Sequence, residues 1–78
     1  IDPNRVHIGS VVRVEEADGQ VQEYTIVGST EADPANGRIS YQSPVGQALF
    51  GRTVGETVEV RTPGGLLRLK ILSVQRPG

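Results

Sequence analysis

Gln42-Ser43-Pro44-Val45-Gly46-Gln47-Ala48-Leu49-Phe50-Gly51 decides the fold, because it is the stretch that carries a complete set of helix signals. The Ser43 hydroxyl can accept from an unpaired amide of the first turn, so serine caps the start. Pro44 then suits the first helical position, where its missing N–H costs nothing and its φ is already helical. Val45, Ala48 and Leu49 recur at i, i+3, i+4 and share one face, while Gly51 can take the left-handed conformation that ends a helix. Two turns cannot hold together alone in water, so the predicted helix must lean on a sheet formed by the flanking segments. Its other face is left free for a partner.

Working outward, Arg38-Ile39-Ser40-Tyr41 reads as a short strand that aims Ile39 and Tyr41 inward and delivers the chain to the Ser43 cap. Upstream of it, residues 28–37 are dense in turn formers and read as an exposed loop, with Asn36-Gly37 suited to a tight turn. Val11-Val12-Arg13-Val14-Glu15 and Val21-Gln22-Glu23-Tyr24-Thr25-Ile26-Val27 form a hairpin around Ala17-Asp18-Gly19. Alternation puts Val12 with Val14, and Tyr24 with Ile26, on one side, as expected when the other side of an antiparallel sheet is wet. A second hairpin joins Thr57-Val58-Glu59-Val60-Arg61 through Thr62-Pro63-Gly64-Gly65 to a strand over residues 66–74. That strand should bury Leu67, Leu69 and Ile71 and turn Leu66, Arg68, Lys70, Leu72 and Val74 the other way. The fold class is therefore α+β: a strongly bent antiparallel sheet of about five strands closing over one short helix. Residues 1–8 have no clear period and read as a lead-in or as the joint to something upstream, and residues 9–78 form the domain.

Composition narrows the chemistry. At 78 residues there is room for one apolar core. With no cysteine, disulfides, thiolate metal sites and cysteine nucleophiles are excluded, and a small unstapled domain fits the cytoplasm better than secretion. A formal net charge of -1 argues against binding nucleic acid through bulk charge. His7, the single histidine, lacks a cysteine or second histidine to complete a metal site and reads as a surface residue. The serines lie outside any Gly-x-Ser-x-Gly elbow, so no catalytic residue is assigned. Glu31 and Asp33 could serve as a carboxylate pair, but acidic residues in turns more simply accept local backbone hydrogen bonds. Gly64-Gly65 joins two strands and lacks the helix N-terminus of a phosphate cradle. No metal and no cofactor is expected. On the residues alone, Gln42-Ser43-Pro44 is either a cap and nothing more or a cap that also meets a partner.

Val27-Gly28, Glu31-Ala32-Asp33, Ile39-Ser40, Ser43-Pro44-Val45-Gly46-Gln47-Ala48-Leu49, Gly51, Val54-Gly55 and Thr62-Pro63-Gly64-Gly65 follow one another at fixed spacing. This string resembles the C-terminal domain of the bacterial transcript-cleavage factors GreA and GreB, over residues 6–74. The resemblance implies an FKBP-like fold and a partner, RNA polymerase, met on the β′-subunit coiled coil at the rim of the secondary channel. It implies that Ile1-Asp2-Pro3 is the junction after an N-terminal coiled coil whose acidic tip helps hold a catalytic magnesium ion, so that the polymerase cleaves the backtracked transcript. Glu31 and Asp33 match loop positions of the docking domain rather than that tip. The polymerase-contacting residues it implies are Gln42, Ser43, Pro44 and Val45, with Asp33 from the loop. Gln42 stands where some relatives carry an acidic residue, which bears on the salt dependence of docking. Two other functions compete: an FKBP-like peptidyl-prolyl isomerase, for which one phenylalanine, two tyrosines and no tryptophan are a poor pocket lining, and the docking domain of a Gre-like polymerase inhibitor.

Overall fold

A computed structural model describes residues 4–76; the expected junction Ile1-Asp2-Pro3 lies outside the described residues, as do Pro77 and Gly78. The elements are β1 (Val11–Glu16), β2 (Val21–Val27), β3 (Arg38–Ser40), α1 (Pro44–Leu49), β4 (Thr57–Thr62) and β5 (Gly65–Gln75). They make an α+β domain in which one short helix packs against a curled five-stranded sheet of order β3-β2-β1-β5-β4.

Three of the four strand pairs are antiparallel, and β2 with β3 is parallel, so the sheet is mixed rather than wholly antiparallel. The cause lies in residues 28–37, which form two short 3-10 turns, Ser29–Glu31 and Pro34–Asn36, instead of a plain loop. Between and after them Asp33 and Arg38 exchange main-chain hydrogen bonds of 2.8 and 3.0 Å. This fold-back carries the chain to the start of β3 beside Thr25, so that β3 runs in the same direction as β2.

The core takes Val12 and Val14 from β1, Ile26 from β2, Ile39 from β3, Val58 and Val60 from β4, Leu69 and Ile71 from β5, and Leu49 from α1. Val74 also packs against this core, although strict alternation places it on the wet side with Leu72. A register shift explains the difference: Arg13 pairs with Ser73 but Val14 pairs with Ile71, so Leu72 is the extra residue of a bulge. The insertion reverses the parity of β5, turning Val74 toward Val12 and leaving Leu72 38% exposed. Val6 is the second departure. It is fully buried, and its main chain bonds Gly51 and Arg52, so this part of the lead-in closes the core beside the end of α1.

Helix α1 sits against β4 and the end of β3, burying Leu49 with Val45 and Ala48 partly buried beside it, as its periodicity predicts. Gly51 ends it at φ 80°. A feature that periodicity does not reveal is the approach at Gly46. A Cβ on this buried residue would fall 1.9 Å from the Ser40 carbonyl oxygen and 2.9 Å from Tyr41 Cα, both rigid backbone. Helix and strand meet there without an intervening side chain.

Gly46→Ala should therefore destabilise the domain by about 3 kcal/mol or more, because backbone rather than a flexible side chain has to move. Gly28 has open space around its Cβ position and φ of -70°, so Gly28→Ala should stay within about 0.5 kcal/mol of the parent. Chemical denaturation of both variants checks the contrast.

Candidate functional site

The junction of β3 with α1 brings Gln42, Ser43, Pro44 and Val45 together on the outside of the core. Ser43 is extended at φ -70° and ψ 160°, and its hydroxyl does two jobs. Oγ accepts from the Gly46 N–H at 3.1 Å, which is the expected cap, and donates to the Ser40 carbonyl at 2.7 Å. The same carbonyl accepts from the Ser43 N–H at 3.0 Å, and the Ser43 carbonyl opens the helix by accepting from Gln47 N–H at 2.7 Å. Every polar group of Ser43 is thus used internally. Pro44 follows as an exposed apolar ring at the first helical position, and Val45 is half-buried against the core.

Gln42 is exposed and its amide is held at both ends. Its Oε1 accepts from the Ser29 hydroxyl at 2.6 Å, and its Nε2 donates to the Tyr41 hydroxyl at 3.3 Å. Its main-chain N–H donates to Ser40 Oγ at 3.0 Å. Beyond it Tyr41, Gln42, Gln47 and Phe50 line an open cleft of about 470 Å³. Phe50 is 41% exposed and meets Tyr41 at a ring separation of 6.0 Å.

Asp33 stands apart from this group. It sits before the second 3-10 turn, accepts from Asn36 Nδ2 at 2.7 Å, and shares the main-chain bonds with Arg38, none of which runs to residues 42–45. Its carboxylate is held by a side-chain amide rather than by the local backbone N–H that the sequence reading of acidic turn residues expects, and the turn has no side-chain cap. Glu31 is exposed in the first turn.

His7 is half-buried rather than on the surface, packing edge-on against Phe50 at 6.2 Å with Nε2 buried and unpartnered. No signal in an irregular, proline-containing lead-in marks this placement. Among the described residues no group of three or more His, Cys, Asp or Glu could share a metal ion. Arg13, Arg52 and Arg68 lie 3.4, 3.7 and 2.9 Å from Glu23, Glu56 and Glu59, exposed pairs that leave these cations partly neutralised. Burial pushes the Tyr24 hydroxyl above its ordinary pKa of 10.0, and nearby Glu16 adds to the effect; this group is on the sheet, away from the junction.

Residues 1–76 match the family described as "Transcription elongation factor, GreA/GreB, C-term". The chain belongs to the GreA/GreB family. It is 56% identical to transcription elongation factor GreA of Clostridioides difficile, over 97% of this chain and 48% of that protein. It is 51% identical to the GreA of Caldanaerobacter subterraneus, over 94% of this chain and 47% of the relative. The chain thus spans about half the length of the curated relatives it matches. Among solved structures, a GreA/GreB factor from Nitrosomonas europaea superposes with a TM-score of 0.81 at 34% identity, covering 96% of this chain and 63% of that one. GreA factor homolog 1 of Thermus thermophilus gives a TM-score of 0.83 at 28% identity, covering 95% of this chain and 50% of that one. This is a GreA/GreB transcription elongation factor C-terminal domain, with the fold that the resemblance implies.

Ser43→Ala should lower stability by about 1 kcal/mol through loss of the cap, with the bond to Ser40 lost as well. Denaturant titration checks this, and the loss should be the same whether or not any partner is present.

Proposed function

We propose that this domain docks on RNA polymerase, on the β′-subunit coiled coil at the secondary-channel rim, through residues 42–45. The observation that carries the reading is Pro44: a rigid, exposed apolar ring held on a capped helix start, beside Gln42, whose amide is already oriented. A preset surface of this kind loses little conformational entropy when it is covered, so its contacts convert efficiently into affinity. Val45 follows Pro44, half-buried against the core, and completes the segment. Asp33, held by Asn36 in the loop, adds a further contact of this docking, as the resemblance implies. In the full-length factor this docking holds an N-terminal coiled coil in the channel, where its acidic tip assists transcript cleavage by the polymerase. The same docking would serve a Gre-like inhibitor. The domain itself is then a binding module rather than an enzyme, works without a cofactor, and belongs in the cytoplasm with its partner. Among the described residues no helix is long and apolar enough to cross a membrane. An isomerase would need an enclosed apolar pocket, and the cleft beside the junction is open with two glutamines among its four lining residues.

This chain should bind RNA polymerase and compete with intact GreA for it, yet leave cleavage of a stalled complex at the level of polymerase alone. Stimulated cleavage by the purified chain would contradict the assignment of the cleavage-assisting groups to the coiled coil.

Pro44→Ala separates contact from capping. Ser43 still caps the variant and alanine is a good helix former, so its stability should change by less than about 1 kcal/mol. Affinity for polymerase should fall further, by roughly 1 to 2 kcal/mol, as expected for a central apolar anchor. A variant that binds as tightly as the parent would reduce Pro44 to a helix starter.

A further inference from the structure

We propose that Ser29 and Tyr41 act as positioning residues that clamp the Gln42 amide into a preset donor–acceptor pair on the docking surface; the inference rests on the docking reading above. Neither residue belongs to the segment that the resemblance marks. Ser29 lies thirteen residues upstream, in the first 3-10 turn, and reaches Gln42 only because the parallel β2–β3 pairing brings residues 28–31 beside the end of β3.

The orientation of the amide follows from the distances. A separation of 2.6 Å between Ser29 Oγ and the Gln42 side chain suits O–H···O better than N–H···O, so the amide oxygen faces Ser29 and accepts its proton. That proton is then committed. The 3.3 Å contact between Ser29 Oγ and Ser40 Oγ must be donated by Ser40, which in turn accepts the Gln42 N–H. A directed chain results: Ser40 donates to Ser29, Ser29 donates to Gln42 Oε1, and Gln42 Nε2 donates to the Tyr41 hydroxyl at 3.3 Å. After these bonds the amide still offers one N–H and one oxygen lone pair. That is the complement of a peptide group or a side-chain amide on the partner. An exposed glutamine in solution samples many rotamers, and fixing it before contact removes that loss from the binding step.

The clamp also accounts for Tyr41 being half-buried with its ring against Phe50: the aromatic contact holds the ring, and the hydroxyl holds the amide.

The test is a set of binding measurements between this chain and purified RNA polymerase, with denaturation curves for every variant. Ser29→Ala and Tyr41→Phe should each weaken binding about three- to tenfold, the range of one hydrogen bond, while the denaturation midpoints stay at the parent value. Ser29→Thr keeps the hydroxyl and should restore the parent affinity. In a Gln42→Ala background the Ser29→Ala effect should vanish, because nothing remains to be oriented. If Pro44→Ala weakens binding but Ser29→Ala does not, or if Ser29→Ala costs as much in the Gln42→Ala background as alone, the clamp is wrong and docking stands. If Pro44→Ala and Gln42→Ala both bind like the parent, the docking reading fails and the clamp fails with it.

Discussion

The contact on which the structure depends is the meeting of α1 with the end of β3 at the Ser40 carbonyl. That one oxygen accepts from the Ser43 N–H and from the Ser43 hydroxyl, while Gly46, lacking a side chain, lets the first helical turn descend onto it. Nucleation of so short a helix is unfavourable, and here it is supplied by a strand that the sheet already holds in place. Leu49 then completes the core and Gly51 bonds back to Val6. Relaxing the approach at Gly46 would lift the helix from the sheet and open the core at once.

The same geometry ties stability to the exposed surface of the β3–α1 junction. Ser43 is consumed by internal hydrogen bonds, so it positions its neighbours and has little left to give an interface. Pro44 and Gln42, on either side of it, have exposed side chains at fixed places. Residues 28–37 join this arrangement from a distance, since their fold-back supplies both the parallel edge strand and the Ser29 hydroxyl. Paired charges such as Arg68–Glu59 lie on β4 and β5, while the cleft at the junction is lined by uncharged residues, Tyr41, Gln42, Gln47 and Phe50.

Much of this is written locally in the sequence. The Ser43 cap, the proline behind it, the helical spacing of Val45, Ala48 and Leu49, and the two hairpins all follow from near neighbours in the chain. Long-range facts were less legible. Gly46 reads locally as a weak helix residue, and only the position of the Ser40 carbonyl reveals that nothing larger fits. Alternation assigns Val74 to solvent, and the bulge at Leu72 that reverses it leaves no local mark. The parallel direction of β3 and the burial of Val6 likewise depend on where distant segments lie. At the candidate site, residues 42–45 carry local cap chemistry and a family likeness, whereas the Ser29 bond spans thirteen residues and has no sequence signature.

In the docking we propose, the β3–α1 junction is the surface that meets RNA polymerase. Amide hydrogen exchange of this chain, free and bound to purified polymerase, tests it most directly. Exchange should slow on binding at Gln42, Ser43, Val45, Gly46 and Gln47, whose amides flank the N–H-less Pro44 and would be covered by a partner seated on it, and stay unchanged along the outer β4–β5 hairpin. Protection confined to that hairpin, with the junction exchanging as in the free chain, would contradict the account.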